Sequence, residues 1–307
     1  MNAPDAASVD EAKRVHAELR RIGPIFDEDV LKRTYALYVP LQERAPRAGV
    51  IAQRNLAYGP DERHLLDVFT PEHPSSGLVP VVMFLHGGGY IAGERSPVPG
   101  IIYDNVSTFF ARHGMVGVNA TYRLAPTHRW PSGGEDVGRA VVWLRENARR
   151  FGGDPERIFV VGHSAGATHA ATWTFMREIH GADGPGVAGV ALISGVYAAT
   201  HPGYTSDPPR PNQFAYYGED VARWPTMWPF DHVRSGHPPV FIAMSALEPY
   251  HFTWPSIALL DALLKCDRKM PAFRLLPNHN HVSSALQINC EIDDLGGDLL
   301  SFVRGVG

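Results

Sequence analysis

Short apolar runs bounded by turn residues recur through most of the chain. Val79 to Leu85, Met115 to Tyr122, Ile158 to Val161, Val187 to Ile193, Pro239 to Met244 and Ala272 to Leu276 each read as a strand. Between them, apolar residues return every three or four positions, which marks helices. One covers Val106 to Arg112. Another begins near Pro131-Ser132-Gly133, with Val137, Val141, Val142 and Leu144 on its apolar side. A third follows residue 164 through Met176 to about Ile179, and a fourth runs from Ile257 to Leu264. The last carries Ile292, Leu295, Leu299, Leu300 and Val303. The strands lack period-two alternation, so they are buried on both faces. Alternating with helices, they predict an α/β fold with a mostly parallel central sheet and helices on both faces.

The remaining patterns differ. Around Gly59-Pro60-Asp61-Glu62, a strong turn signal, two apolar runs between residues 50 and 70 predict a β-hairpin. Val15, Leu19, Ile22 and Ile25, then Val30, Leu31, Tyr35 and Leu37, predict two helices broken at Gly23-Pro24, after a mobile stretch at residues 1–9. We take residues 1–45 as a helical arm and 46–307 as the main domain. From 198 to 236 the pattern changes again: prolines cluster, and Phe214, Tyr216, Tyr217, Trp224, Trp228 and Phe230 follow. This is long for a plain connection. It reads as an insert that caps or lines an apolar pocket, with Phe214, Tyr217, Trp224 and Trp228 as wall candidates.

The chemistry sits at strand ends. After Ile158-Phe159-Val160-Val161 comes Gly162-His163-Ser164-Ala165-Gly166, and then helical spacing. Strand, tight turn and helix place a serine hydroxyl at a sharp bend over the sheet, where a Cβ on either glycine would obstruct. After Val79 to Leu85 comes His86-Gly87-Gly88-Gly89-Tyr90. Three glycines in a row cost entropy and make sense where backbone N–H groups must approach a developing oxyanion. Glu248 follows a fifth strand, and His279 and His281 a sixth. The C-terminal ends of parallel strands share one edge, where sites form. A serine needs a base to take its proton, a histidine serves near neutral pH, and a carboxylate fixes the histidine's tautomer. Ser164, Glu248 and His281 supply these in the order nucleophile, acid, histidine. Asp261 is the fallback acid, although it lies inside a predicted helix, and His279 competes with His281.

Composition narrows the classes. The chain has 307 residues, 44% hydrophobic, with a net charge of −4. That fills a sizeable core and offers no basic stripe for nucleic acid. There is no run of 18 apolar residues for a membrane span and no secretory signal pattern, so the cytoplasm is the expected location. The two cysteines, Cys266 and Cys290, are expected as buried thiols. His113, His128, His201, His232 and His251 lack ligand spacing, and no metal or other cofactor is expected. Trp143 and Trp173 fall on helical patterns and are expected in the core. No Lys-Ser/Thr follows Gly87-Gly89, so a phosphate loop is not supported.

These pieces resemble a known family. His86-Gly87-Gly88-Gly89-Tyr90, Tyr122-Arg123-Leu124-Ala125-Pro126, Gly162-His163-Ser164-Ala165-Gly166 and the His281 region are similar to the α/β-hydrolase superfamily, in particular hormone-sensitive-lipase-like carboxylesterases. The last two segments also resemble bacterial arylformamidase-like hydrolases. The resemblance runs from about residue 50 to the end. It implies that Ser164 forms an acyl-enzyme and that His281 acts as base, then acid. It implies an oxyanion hole from the N–H groups of Gly88, Gly89 and Ala165, with His86 bracing the loop and Tyr90 near the substrate. It makes His163, Glu135 and Asp136 structural, and it makes the arm and residues 198–236 a small cap over the acyl pocket. At the acid, relatives often carry Asp-Pro-Leu where this chain has Glu248-Pro249-Tyr250. His281 is preferred over His279 because family histidines usually precede a short apolar-serine stretch, here Val282-Ser283-Ser284.

Three functions compete. The first is a serine carboxylesterase for small to medium, apolar or aryl esters. The second is an aryl amide or formamide hydrolase with the same triad, and the third a non-enzymatic binding protein on this scaffold. The expected partner is a small-molecule ester or amide, with no nucleic acid and no membrane span, and a homodimer is left open.

Overall fold

The computed structural model describes residues 6–198 and 208–306, with side chains from residue 9 onward. Residues 1–5, 199–207 and 307, with part of the expected insert and His201, lie outside the described residues.

The elements follow in chain order. Helices α1 (Ala6–Ile22) and α2 (Glu28–Arg44) lead into β1 (Val50–Ala57), β2 (Leu65–Pro71) and β3 (Val79–Leu85). Then come α3 (Asp104–Arg112), β4 (Val116–Ala120), α4 (Ser132–Asn147), β5 (Gly153–His163) and α5 (Ala165–Phe175). The short α6 (Arg177–His180), β6 (Gly189–Ile193), α7 (Pro211–Tyr217), β7 (Val240–Leu247) and α8 (Tyr250–Asp267) precede β8 (Ala272–Asn280), α9 (Ser283–Leu286) and α10 (Gly296–Gly305). The eight strands form one sheet in the order β1-β2-β4-β3-β5-β6-β7-β8. β1 pairs antiparallel with β2, and β2 with β4; the other pairs are parallel. The expected α/β sheet and hairpin are therefore present.

Each central strand sends alternate side chains to opposite faces. Val81, Met83, Leu85, Val160 and Leu192 point into a core closed by α4, α5 and α8, through Val137, Val141, Ala167, Ala171, Leu259 and Leu263. Val82, Phe84, Phe159, Val161 and Ile193 point to the other side, covered by α1, α2, α3 and α10 through Val15, Leu19, Tyr38, Phe110, Leu299 and Val303. The strands are apolar without alternation because both faces are covered. The arm is thus part of the second core; each buried side chain such as Leu19 contributes about 1.5–3 kcal/mol.

Several boundaries move. α1 begins at Ala6, inside the stretch expected to be mobile. β5 begins at Gly153 instead of Ile158, because Val79 pairs with Gly153 before a register shift. The helix after Ser164 stops at Phe175 and restarts at Arg177, since Met176 is extended. α8 starts at Tyr250 despite Pro255, β8 runs on to Asn280, and α10 starts after Ile292 and Leu295. Cys290 is buried, but Cys266 is half-buried, and both are free thiols. Trp143 and Trp173 are also half-buried against the first core. Among the described residues no helix is long and apolar enough to cross a membrane.

Candidate active site

The turn after β5 is tight because the backbone around Ser164 cannot be otherwise. Ser164 itself has φ 56° and ψ −121°, a region costly for a residue with a Cβ. It is held there by its N–H on the Ile193 carbonyl (2.9 Å) and by its own carbonyl, which accepts from Thr168 N–H (3.1 Å) at the start of α5. A Cβ on Gly166 would run into the carbonyl oxygens of Leu85 and His86. Close contact between this turn and the end of β3 therefore requires glycine. The strain lifts the serine hydroxyl off the sheet.

β8 ends at Asn280, whose side-chain oxygen accepts from the N–H groups of Val282 (3.1 Å) and Ser283 (2.9 Å). That turn brings His281 over the sheet edge, and its Nε2 lies 2.9 Å from Ser164 Oγ. His281 Nδ1 donates to Glu248 Oε1 at 2.9 Å, and Glu248 Oε2 accepts from Ser245 N–H at 3.1 Å. The structure thus brings Ser164, His281 and Glu248 together in one hydrogen-bonded line, all nearly buried. An imidazole held between a carboxylate and a hydroxyl is the geometry that activation of the hydroxyl requires. The two competitors stand elsewhere. Asp261 pairs with Lys265 on the outside of α8, and His279 faces Tyr38, Ser283 and Asp294.

Two rings not singled out in the sequence frame His281. Phe252 stacks on it with centroids 3.7 Å apart and planes 16° apart, and Phe26 meets it edge-on at 4.9 Å. Phe252 lies four residues past Glu248, in the first turn of α8. Phe26 comes from the loop between α1 and α2, where no local pattern points to it. His163 also reaches His281: its Nε2 donates to the His281 carbonyl oxygen at 2.9 Å. Burial, reinforced by the neighbouring His281, pulls the His163 pKa down to about 3. His163 is therefore neutral with its proton on Nε2, and Nδ1 is a bare acceptor with no partner among the described residues.

The glycine loop is braced from below. His86 Nδ1 donates to the Gly87 carbonyl at 2.6 Å, and Thr121 Oγ1, which accepts from Arg63 Nη2, donates to His86 Nε2 at 2.9 Å. The Tyr122 ring stacks on His86 at 4.5 Å. Asn212 Nδ2 donates to the Gly89 carbonyl at 3.1 Å from above. Asp136 anchors the neighbouring turn by accepting from Arg123 N–H (2.8 Å) and from His64 Nε2 (2.9 Å). Arg123 Nη2 reaches both Asp136 and Glu135.

Gly88, Gly89, Ala165, Tyr90, Ser164 and His281 all border one cavity of about 740 Å³. Phe26, Leu31 and Tyr35 of the arm, Arg210 and Asn212, and His251, Phe252 and Trp254 close it. The expected wall aromatics are a correction. Phe214, Tyr217, Trp224 and Trp228 do not border this cavity. Trp224 is fully buried, packs against Phe214 and Tyr217, and donates its indole N–H to the Gly218 carbonyl. Tyr217 stands behind Tyr90, with centroids 5.7 Å apart, and Trp228 stacks near Phe230. These large apolar rings gain more by packing into the first core, beside Tyr216 and Phe230, than by facing a solvent-reachable wall. Tyr90 alone of the aromatic pocket candidates borders the cavity.

Three buried histidines set a pH response. Burial pulls His86 down to about 4, and His163 and His169 to about 3. Unfolded, each takes up a proton near pH 6.5. Their contribution is therefore complete above pH 6.5 and is lost as pH falls toward 4 and 3, because the unfolded state binds more protons there. Asp136 adds to this at lower pH. Burial alone would raise it, but His64 and Arg123 hold it below the usual carboxylate value. We expect stability to drop by up to about 1.4 kcal/mol per pH unit for each histidine. Urea midpoints measured at pH 7.5, 6.0 and 5.0 check this, and equal midpoints would refute it.

Comparison with known proteins agrees with the sheet order. A family model described as alpha/beta hydrolase fold matches residues 82–253, more than half of the chain. Esterase LipQ of Mycobacterium tuberculosis (strain ATCC 25618 / H37Rv) is 28% identical over 241 residues, covering 74% of this chain and 56% of that protein. Esterase LipC of the same strain is 38% identical over 116 residues, 38% of this chain and 28% of that protein. The chain thus spans from about a quarter to about half the length of these two relatives. Among solved structures, a bacterial heroin esterase is 25% identical with a TM-score of 0.68, covering 96% of this chain and 98% of that one. Esterase B from Lactobacillus Rhamnosis superposes with a TM-score of 0.71 at 18% identity, over 97% and 96% of the two chains. The matched segment holds the glycine loop, the serine turn and Glu248, so that both sheet topology and sequence make this chain a member of the alpha/beta hydrolase fold family.

Proposed function

We propose that the protein is a serine hydrolase that cleaves carboxylic esters of small to medium, apolar or aryl substrates through an acyl-enzyme. The observation that carries this reading is the line of two 2.9 Å contacts from Glu248 through His281 to Ser164 at the wall of the cavity. Ser164 Oγ attacks the ester carbonyl while His281 Nε2 takes its proton. Glu248 stabilises the imidazolium through Nδ1–H. The N–H groups of Gly88, Gly89 and Ala165 receive the oxyanion. His281 then protonates the leaving alcohol, and water activated by the same nitrogen releases the acid. The arm and the insert at 198–236 act as the cap, a role supported by Phe26, Leu31, Tyr35 and Asn212 at the cavity wall. The names of the relatives, several of them esterases, support the same chemistry. Free Cys266 and Cys290 support a reducing location, the cytoplasm.

A second reading, hydrolysis of aryl amides or formamides, uses the same triad, with His281 Nε2 protonating a leaving amine in place of a leaving alcohol. Steady-state rates on p-nitrophenyl esters of two to eight carbons, alongside N-formyl anilines and matched anilides, test both. We expect rapid ester turnover, and its loss on treatment with a phosphonylating reagent that mass spectrometry locates on Ser164. Greater efficiency on formyl anilines would move the protein to the second reading, and no turnover of any ester or amide would overturn both.

A further inference from the structure

The triad geometry employs His281 and leaves His279 in a second cluster on the other side of the turn. His16 on α1, His279 near the end of β8 and Asp294 just before α10 each offer one ligand atom, and these atoms lie within 4.8 Å of one another. His279 Nε2 is 3.3 Å and His16 Nε2 is 3.8 Å from the same carboxylate oxygen, Asp294 Oδ2. The two imidazoles meet edge to face with centroids 5.2 Å apart. His16 Nε2 is buried and has no hydrogen-bond partner among the described residues. Such an atom is costly to leave unpaired, and at 3.8 Å the carboxylate is too far to satisfy it.

We propose that His16, His279 and Asp294 form a binding site for a divalent cation of the zinc class. Two imidazoles and one carboxylate are the donor set that such an ion takes, with water in the fourth position. Bonds of about 2.0–2.1 Å in a tetrahedron set neighbouring ligand atoms about 3.3 Å apart. The His279–Asp294 separation already has that value, and the His16 contact needs to close by half an ångström. Asp294 is 41% exposed, which gives the ion an entry and the water a place. The outer contacts fit as well. His279 Nδ1 lies 3.2 Å from Ser283 Oγ and 3.4 Å from the Tyr38 hydroxyl, so its proton has an acceptor there and Nε2 is left to bind. The ion would join the first helix to the last strand along a seam that Arg20 already bridges to Asn278 at 2.7 Å.

Metal-free protein titrated with zinc chloride by calorimetry, and with cobalt chloride by absorption, tests this. We expect one equivalent bound at this site, with the visible bands of tetrahedral cobalt and no sulfur-to-cobalt band. His16→Ala, a change that favours the helix, and Asp294→Asn, which keeps a hydrogen-bond acceptor for His279, are each expected to weaken binding by about 100-fold or more. Circular dichroism establishes that both variants are folded. A second group, His237, Cys266 and Asp267, also has ligand atoms within 4.8 Å of one another. Binding that survives both substitutions and shows a thiolate band would place the ion there and overturn the proposal, as would the absence of saturable binding.

Discussion

Replacing Ser164 by alanine is expected to lower kcat for a short p-nitrophenyl ester by about 10⁶-fold, with the fold unchanged. The hydroxyl pairs with His281 Nε2, so removing it leaves only that nitrogen without its partner. Ser164 already sits at φ 56°, and alanine meets the same backbone strain there. The thermal midpoint should therefore move little while turnover disappears. His281→Ala should cost a similar factor, and the double variant hardly more than either alone, because the residues act as a unit. Glu248→Gln keeps the shape but removes the charge that stabilises the imidazolium, and about 10⁴-fold is the expected loss. Rates on one ester with the four variants check this. A Ser164→Ala protein that retains even a hundredth of the activity would mean that hydrolysis does not pass through this serine.

The second large effect is on folding. Gly166→Ala should destabilise the protein by about 3 kcal/mol or more and abolish ester turnover. An added Cβ would press on the Leu85 carbonyl oxygen, and would stand 2.5 Å from that of His86 and 2.7 Å from the Leu85 carbonyl carbon. These are backbone atoms at the end of β3, paired on both sides with β4 and β5, and they cannot withdraw without breaking the sheet. The displaced strand end carries His86 and the glycine loop, so catalysis and stability should fail together. Gly297→Ala on α10 is the control. Nothing lies within 4 Å of its added methyl group, and helix propensity predicts a gain of up to about 1 kcal/mol. Denaturant midpoints for the two variants decide the matter. Equal midpoints would mean that the turn has more room than its contacts indicate.

What could be read from the sequence follows a physical divide. Central strands are legible because burial on both faces leaves an unbroken apolar run, as at Val79 to Leu85. The serine turn is legible because strand, glycine and helix signals are adjacent in the chain. The insert was less so. Phe214, Tyr217, Trp224 and Trp228 announce an apolar cluster, but short helices and turns have no long period that says which way each ring faces. They pack into or against the first core, and Asn212 and Arg210 meet the cavity instead. Phe26 was illegible for another reason: its contact with His281 joins residues 255 positions apart. β5 started earlier than its apolar run because Gly153 pairs through its backbone, which leaves no trace in hydrophobicity.

The seam between the arm and the far end of the sheet has a consequence for the order in which the protein is made. Gln42 donates to the carbonyls of Leu286 and Ile288, Asn280 donates to Thr34, and Asn289 donates to the carbonyl of Pro46. The partners of Thr34, Gln42 and Pro46 in these bonds thus leave the ribosome more than 240 residues later. Until then Val15, Leu19, Tyr38 and Leu41 have no complete core to enter. Closing so long a loop makes docking of the arm a late folding step. Because Phe26 travels with the arm, the nascent chain completes its catalytic wall only after residues 280–289 have been made.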